Sequence, residues 1–395
     1  MKILYQIWAV IVMNVRSLPS RFWMSFAAVF AVAVVVGVLQ AFLAMSDGFK
    51  ATLSGTGSDS VAIVTREGSQ SELNSVLSRD AVNSVSEAPG IAKDADGNPI
   101  YSAELYVVVD GLKRTTLTEV NIPFRGISTK GFELRDSVEI TAGRMFNPGN
   151  NEIIVGEGVL NQFTGFELGK TVRFGKTEWE VVGVFSTGGS AFESELWADA
   201  RTVQTQFRRG STFQTMRIRL ETPGDVSAIE ALIEADPQLN LTVQTESNFF
   251  SEQGDALQGI VYFGWGVSII MALGALAGAL NTMYTSVASR AGEIATLRAI
   301  GFSNTSAFVG TLIESVMLAV IGGVLGTLAA FLYLDGKTAS TLGGSFSQIV
   351  FAFEVTPSLI KDGIWMAIAI GLVGGVFPAW RAARLPVMVA FRNAA

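Results

Sequence analysis

Four apolar runs constrain this 395-residue chain more than any single residue does. They cover residues 22–45, 260–280, 307–334 and 364–379, so one stands alone and three crowd the C-terminal third. A helix needs about 20 apolar residues to cross the ~30 Å hydrocarbon layer. The first three runs reach that length, and the fourth only just approaches it. Between the first and second lie roughly 210 residues of mixed, polar sequence. The pattern predicts an α-helical membrane protein with four transmembrane helices and a large extracytoplasmic α+β domain inserted between helices 1 and 2. The expected segments are an amphipathic interfacial helix (1–21), spans at 22–46, 259–285, 305–334 and 357–381, and the inserted domain (47–258). A cytoplasmic helical connection (286–304), an extracytoplasmic loop (335–356) and a cytoplasmic tail (382–395) complete them.

Charge orients these segments. Residues 1–21, 281–305 and the tail from Arg381 together carry eight basic residues and one acid. Residues 47–255 carry 18 basic and 30 acidic residues, a net charge of −12. Basic residues near span ends mark the cytoplasmic side, so both termini are expected inside and the acidic domain outside. Such a domain is a poor partner for nucleic acid. The first run is longer than the 7–15-residue apolar core of a cleaved signal and is expected to remain as an anchor. Residues 1–16 carry Tyr5, Trp8 and basic ends and suit a helix lying at the interface, with Leu18, Pro19 and Ser20 turning into the span.

The chain has no histidine and no cysteine. His-based acid–base catalysis, Ser–His–Asp and Cys–His nucleophiles, disulfides and the usual zinc sites are therefore excluded. No catalytic, cofactor or metal site is expected. Glu193 and Glu195 are close in sequence, but 191–197 reads as an exposed loop or strand. Gly165-Phe166-Glu167-Leu168-Gly169-Lys170-Thr171 resembles a phosphate-binding loop, yet it has three residues between the glycines where that loop needs four. It also leads into a strand rather than a helix, so it reads as a turn before a hairpin.

Within the inserted domain, 61–65, 105–109, 215–220 and 241–245 read as strands, and 72–82 and 226–235 as helices. Met216, Ile218 and Leu220 share one strand face, and Pro223-Gly224-Asp225 ends that strand and caps the helix after it. Thr171–Phe174 and 177–184 flank Gly175-Lys176, which suits a two-residue type II′ turn. The expected layout is a split α/β subdomain (about 47–119 and 215–258) with a β-rich insertion (about 120–214).

Each C-terminal span carries a small-xxx-small pair: Gly274/Gly278, Gly322/Gly326 and Gly371/Gly375. Glycine at this spacing lets helices approach closely in lipid, within one bundle or between two copies of the chain. Glu314 and Asn281 are polar groups inside spans, and such groups are functional candidates; Arg298 is a possible ion-pair partner for Glu314. The 290–301 connection reads as a short amphipathic helix. Ile294, Leu297 and Ile300 share a face, Glu293 and Arg298 stay polar, and Gly301 occupies the C-cap.

Arg290-x-x-Glu293-Ile294-x-x-Leu297-Arg298-Ala299-Ile300-Gly301, followed by Glu314 and Gly322-Gly323-x-x-Gly326, resembles the signature of MacB/FtsX-type (type VII) ABC transporter permeases. Gly374-Gly375-x-x-Pro378-Ala379-Trp380-Arg381-Ala382-Ala383-Arg384-Leu385, then Ala390-Phe391-Arg392, is similar to the family's ending, with Trp380 and Phe391 departing from the residues usual there. Gly143-Arg144-x-Phe146, 152–156 and 179–184 are similar to its periplasmic core. The resemblance implies a bacterial inner-membrane permease subunit without a fused ATPase, paired with a second permease copy. It further implies that 290–301 is a coupling helix seated on a separate ATPase dimer, which binds ATP and Mg. ATP hydrolysis there would move the periplasmic domain (mechanotransmission) and drive export or extraction of an unidentified substrate. A periplasmic adaptor and an outer-membrane channel are implied as further partners. The alternative is an FtsX-like signalling subunit that regulates a periplasmic enzyme or sensor without transport.

Overall fold

The computed structural model describes residues 2–17, 19–69, 71–255, 258–342 and 348–384. Leu18 of the expected turn, and Leu385, Ala390, Phe391 and Arg392 of the family-like ending, lie outside the described residues. Contacts divide the chain into two units. One comprises 1–47, 258–337 and 353–395; the other comprises 48–257 and 338–352.

The first unit is helical. Helix α1 (Lys2–Ser17) leads through a short turn into α2 (Phe22–Ser54). The remaining helices are α3 (Gln258–Ser289), α4 (Ala291–Ala299), α5 (Asn304–Leu334) and α6 (Pro357–Arg384). Helices α2, α3, α5 and α6 are each long and apolar enough to cross a membrane. Even the run that looked short does so, because α6 draws flanking residues on both sides into a 28-residue helix.

Glycines decide how these helices pack. A Cβ on Gly322 would sit 2.6 Å from the Val29 carbonyl oxygen, and one on Gly326 would clash with the Ala33 carbonyl, both on α2. On α6, a Cβ on Gly371 would sit 2.8 Å from Val316 Cα and one on Gly375 2.7 Å from Ser315 Cβ, both on α5. Two of the three glycine pairs are thus consumed inside the chain, where α5 packs against α2 and α6 at backbone distance. Gly274 and Gly278 on α3 meet no described atom and lie on an exposed face. Val32, Val36, Ala275, Ala319, Ala367 and Ile370 form the core of the bundle.

The second unit is a mixed α/β domain. Its strands are β1 (Val61–Arg66), β2 (Tyr101–Lys113), β3 (Glu119–Ile127), β4 (Glu139–Gly143), β5 (Glu152–Gly156) and β6 (Phe163–Thr164). They continue with β7 (Thr171–Phe174), β8 (Thr177–Ser186), β9 (Leu196–Asp199), β10 (Thr215–Arg219) and β11 (Leu241–Thr245). The sheet runs β11-β1-β10-β2-β3-β9-β5-β8-β4, with β6 on β2 and β7 on β8. Strand β2 joins two halves: residues 101–104 pair with β10 and residues 105–112 with β3. Separate apolar cores lie under the halves, one around Val64, Val85, Ile218 and Ile229, the other around Phe124, Trp179, Val181 and Leu196.

The β7–β8 hairpin closes as expected, Phe174 opposite Thr177, with Gly175 at φ +61°. Three local expectations change. The helix expected at 72–82 starts later, at Arg79–Ser86, because Leu77 bridges Phe213 and Ser78 caps the following turn (Ala81 N to Ser78 Oγ, 3.1 Å). Asp225 does not cap the helix after it; its carboxylate accepts from the Thr222 amide and hydroxyl at 2.7 and 2.9 Å. The 335–356 connection contains a β-hairpin, β12 (Thr338–Leu342) with β13 (Gln348–Ala352), which belongs to the second unit. Val350 enters the Phe124–Trp179 core, and its amide donates to Ser194 Oγ at 2.8 Å.

Candidate functional site

Helix α4 lies between α3 and α5. Ile294 and Ala295 are buried, and Ile294 packs with Val287, Ala307 and Ala382 of the neighbouring helices. The far side is open: Glu293 is 58% exposed in its side chain and Ile300 70% exposed, while Leu297 is half-buried. Ile300 therefore does not share the buried face expected for it. It is the C-cap residue, one position past the last helical residue, Ala299. At that cap Gly301 takes φ +102°, its amide bonds the Arg298 carbonyl at 3.1 Å and the Phe302 amide bonds the Leu297 carbonyl at 3.0 Å. This is a Schellman closure, which favours glycine at the left-handed position.

A buried polar cluster anchors the other end of α4. Arg290 donates to Glu314 Oε2 (3.3 Å), Asn14 Oδ1 (2.7 Å) and Glu293 Oε2 (3.1 Å). The second Glu314 oxygen lies 3.8 Å from Arg21 Nη2, and Arg21 also donates to Ser17 and Ser286. Glu314 thus pairs with Arg290 and Arg21, and the expected pairing with Arg298 is not the one formed: α4 turns Arg290, not Arg298, toward α5. Arg298 is half-buried. Asn281 lies apart, exposed on α3.

Helix α1 holds this cluster from below. Asn14 Nδ2 donates to the Gly310 carbonyl at 3.1 Å, and Val10 occupies the space that a side chain at Gly310 would need. Gln6 donates to the Gly301 carbonyl and accepts from the Ser303 amide, both at 3.2 Å. Gln6, Val10, Asn14 and Ser17 recur at helical spacing, so one face of α1 serves α4 and its flanking segments. That polar–apolar stripe is the signal that a reading of α1 as an interfacial helix passes over.

The inserted domain has a second buried network, between its two halves. Arg125 (β3) makes a bidentate pair with Glu195 (2.7 and 2.6 Å) and reaches Glu72 (2.5 Å) and Glu104 (3.2 Å). Arg217 (β10) bonds Glu246 (2.6 Å), Glu104 (2.6 Å) and Glu72 (3.0 Å), and Arg135 pairs with Glu104 at 2.9 and 2.8 Å. All seven side chains are buried. Burial pushes the Glu104 carboxyl upward, but the guanidiniums of Arg135, Arg217 and Arg125 outweigh it and hold it at about 2. Glu72 is likewise driven well below the usual carboxylate range: burial opposes this, and Arg125 and Arg217 overcome it. Of the exposed loop or strand expected at 191–197, a strand does form from Leu196, but the segment is largely buried. Ala191–Ser194 form a buried 3-10 turn that delivers Glu195 to Arg125, while Glu193 accepts from Ser186 and the Thr187 and Gly189 amides. Every carboxylate in the network is paired with at least one guanidinium, an arrangement suited to holding two half-sheets together rather than to proton transfer. Among the described residues no cluster of acidic side chains is placed to hold a metal ion.

Known proteins agree with this architecture. The family model for a MacB-like periplasmic core domain matches residues 25–236, and that for an FtsX-like permease C-terminal region matches 265–387. The chain is 27% identical over 300 residues to the uncharacterized ABC transporter permease YknZ of Bacillus subtilis (strain 168), covering 69% of this chain and 70% of that one. It is 25% identical over 313 residues to the macrolide export ATP-binding/permease protein MacB of Rhodopseudomonas palustris (strain HaA2), covering 71% of this chain and 46% of MacB. The match thus spans less than half of that relative's length. Among solved structures, the periplasmic region of MacB from Actinobacillus actinomycetemcomitans superposes with a TM-score of 0.37 at 16% identity, over 49% of this chain and 92% of that one. With a MacB-like core domain over more than half its length and an FtsX-like region after it, the chain belongs to the MacB/FtsX family of ABC transporter permeases.

Proposed function

We propose that this chain is the membrane subunit of an ATP-driven machine in which α4 is the coupling helix for a separate ATPase dimer that binds ATP and Mg. In this reading both termini and α4 face the cytoplasm, and the inserted domain lies outside in the periplasm. Two copies of the chain assemble, and ATP-driven closure of the ATPase pushes α4. The spans carry that movement to the inserted domain, which works on an unidentified substrate for export or extraction. A periplasmic adaptor and an outer-membrane channel would complete the path.

The observation that carries the reading is the split character of α4. One face is fixed to the bundle by Ile294 and Ala295, its start is tied through Arg290 to Glu314, and Glu293 and Ile300 project outward. A short helix with a free face and a rigid base transmits a push to both α3 and α5. The YknZ relative is named as an ABC transporter permease and the MacB relative as an ATP-binding/permease protein, which supports the pairing with an ATPase.

The test is co-purification of the chain with its ATPase in nanodiscs. Glu293→Lys and Arg298→Glu should abolish permease-dependent stimulation of ATP hydrolysis while leaving membrane insertion and folding intact. Wild-type stimulation by both variants would remove α4 from the coupling role.

A further inference from the structure

The inserted domain contains a cavity of about 1010 Å³ that the coupling reading does not use. It is lined from both half-sheets. Phe213, on its wall, packs against both apolar cores, and Tyr101 packs against one of them. These anchored aromatics give the cavity fixed apolar surface. Its charge runs against that of the domain. Where the domain has 30 acids and 18 bases, the cavity is lined by Arg79, Lys130 and Arg201 and by a single acid, Asp199.

Two of these charges are already engaged. Asp199 is buried and accepts from the Thr202 amide (3.0 Å) and hydroxyl (2.9 Å), and Lys130 bonds Asp94 at 2.5 Å. Arg79 and Arg201 are exposed, and among the described residues neither guanidinium has an acidic partner. Uncompensated cations in a concave, part-apolar site concentrate anions, and a guanidinium presents forked donors to carboxylate, sulfonate or phosphate. A flat acidic protein surface would meet the arginines without filling the hollow. The volume suits one small molecule, since ligand sites run to about 300–1,000 Å³.

We propose that this cleft binds a small anionic amphiphile, its acidic head on Arg79 and Arg201 and its apolar body against Tyr101 and Phe213. The site lies within the inserted domain and is assayed by binding rather than ATP turnover, so its failure and failure of the coupling helix are separable.

The experiment titrates 2-naphthoate into the full chain in zwitterionic nanodiscs, beside neutral 2-naphthalenemethanol and inorganic phosphate. The naphthoate should bind at sub-millimolar concentration and the other two at least tenfold more weakly. Arg79→Ala and Arg201→Ala should each weaken naphthoate at least fivefold. Thr205→Glu, which places an anion at the exposed rim, should weaken naphthoate and leave the neutral probe unchanged. Both arginines are exposed, and an unaltered thermal unfolding curve verifies that each variant is folded. Competition by monomeric lysophosphatidylglycerol would identify a membrane-derived ligand, and naphthoate binding without that competition a soluble one. No naphthoate binding at millimolar concentration, equal binding of the neutral probe, or indifference to both arginine variants would overturn the proposal.

Discussion

At the scale of single residues, buried charge is what most distinguishes this protein from its sequence pattern. Arg217 sits between Met216 and Ile218 on β10, where strand alternation reads it as solvent-facing, yet it is fully buried against Glu246, Glu104 and Glu72. Removing one member of such a network strands the others in a low-dielectric site, at a cost of about 3–5 kcal/mol. Arg125→Met should therefore lower the unfolding free energy of the inserted domain by about that amount. Denaturant titration of the full chain, followed by the fluorescence of buried Trp179 and Trp197, measures it. The pH dependence follows from the same groups. Glu72 and Glu104 are held below their unfolded values, so their contribution is complete above the unfolded pKa of ~4.3 and is lost as pH falls through the folded values. Domain stability should stay level from pH 7 to about 5 and decline between about pH 4.5 and 2. A flat profile down to pH 2.5 would contradict the ion network.

At the scale of elements, the three glycine pairs look alike in sequence and have different surroundings. Gly322/Gly326 and Gly371/Gly375 touch neighbouring helices, whereas Gly274/Gly278 faces away from the chain's own bundle. Gly326→Leu should disrupt α2–α5 packing and give misfolded, detergent-aggregated protein. Gly274→Leu with Gly278→Leu should leave the monomer folded. If the open pair lies at the seam with a second copy, this variant should also self-associate at least tenfold more weakly, a loss of about 1.4 kcal/mol. Size-exclusion chromatography with light scattering in mild detergent separates the two outcomes. The α4 anchor gives a further expectation. Glu314→Gln keeps shape but removes the charge shared by Arg290 and Arg21, so insertion should persist while permease-dependent ATP hydrolysis falls several-fold.

At the scale of the whole molecule, the inserted domain takes part of its core from far along the chain. Hairpin β12–β13 follows α5 and precedes α6, yet Val350 is buried in the Phe124–Trp179 core and Phe351 packs edge-on to Phe49 with ring centroids 5.7 Å apart. The domain is therefore joined covalently to the helical unit not only through α2 and α3 but also through both ends of this hairpin. Val350→Asp would bury a charge in that core. It should lower the thermal unfolding temperature of the inserted domain by several degrees, as read by near-ultraviolet circular dichroism of the full chain.

The apolar runs and their lengths determined by themselves that this chain builds four helices able to cross a membrane and, between the first and second in sequence, an inserted α/β domain. Local rules were enough there, because a span needs only enough consecutive apolar residues and the two-residue turn at Gly175 needs only its glycine. The Gly301 cap was legible for the same reason. What only the tertiary structure decided was which side chains meet: Glu314 with Arg290 and Arg21 rather than Arg298, α1 as a brace under α4, and seven buried charges between two half-sheets. Those pairings join residues up to 297 positions apart, as with Gln6 and Ser303. Burial of a charge depends on what another segment lays over it, and no local periodicity carries that information.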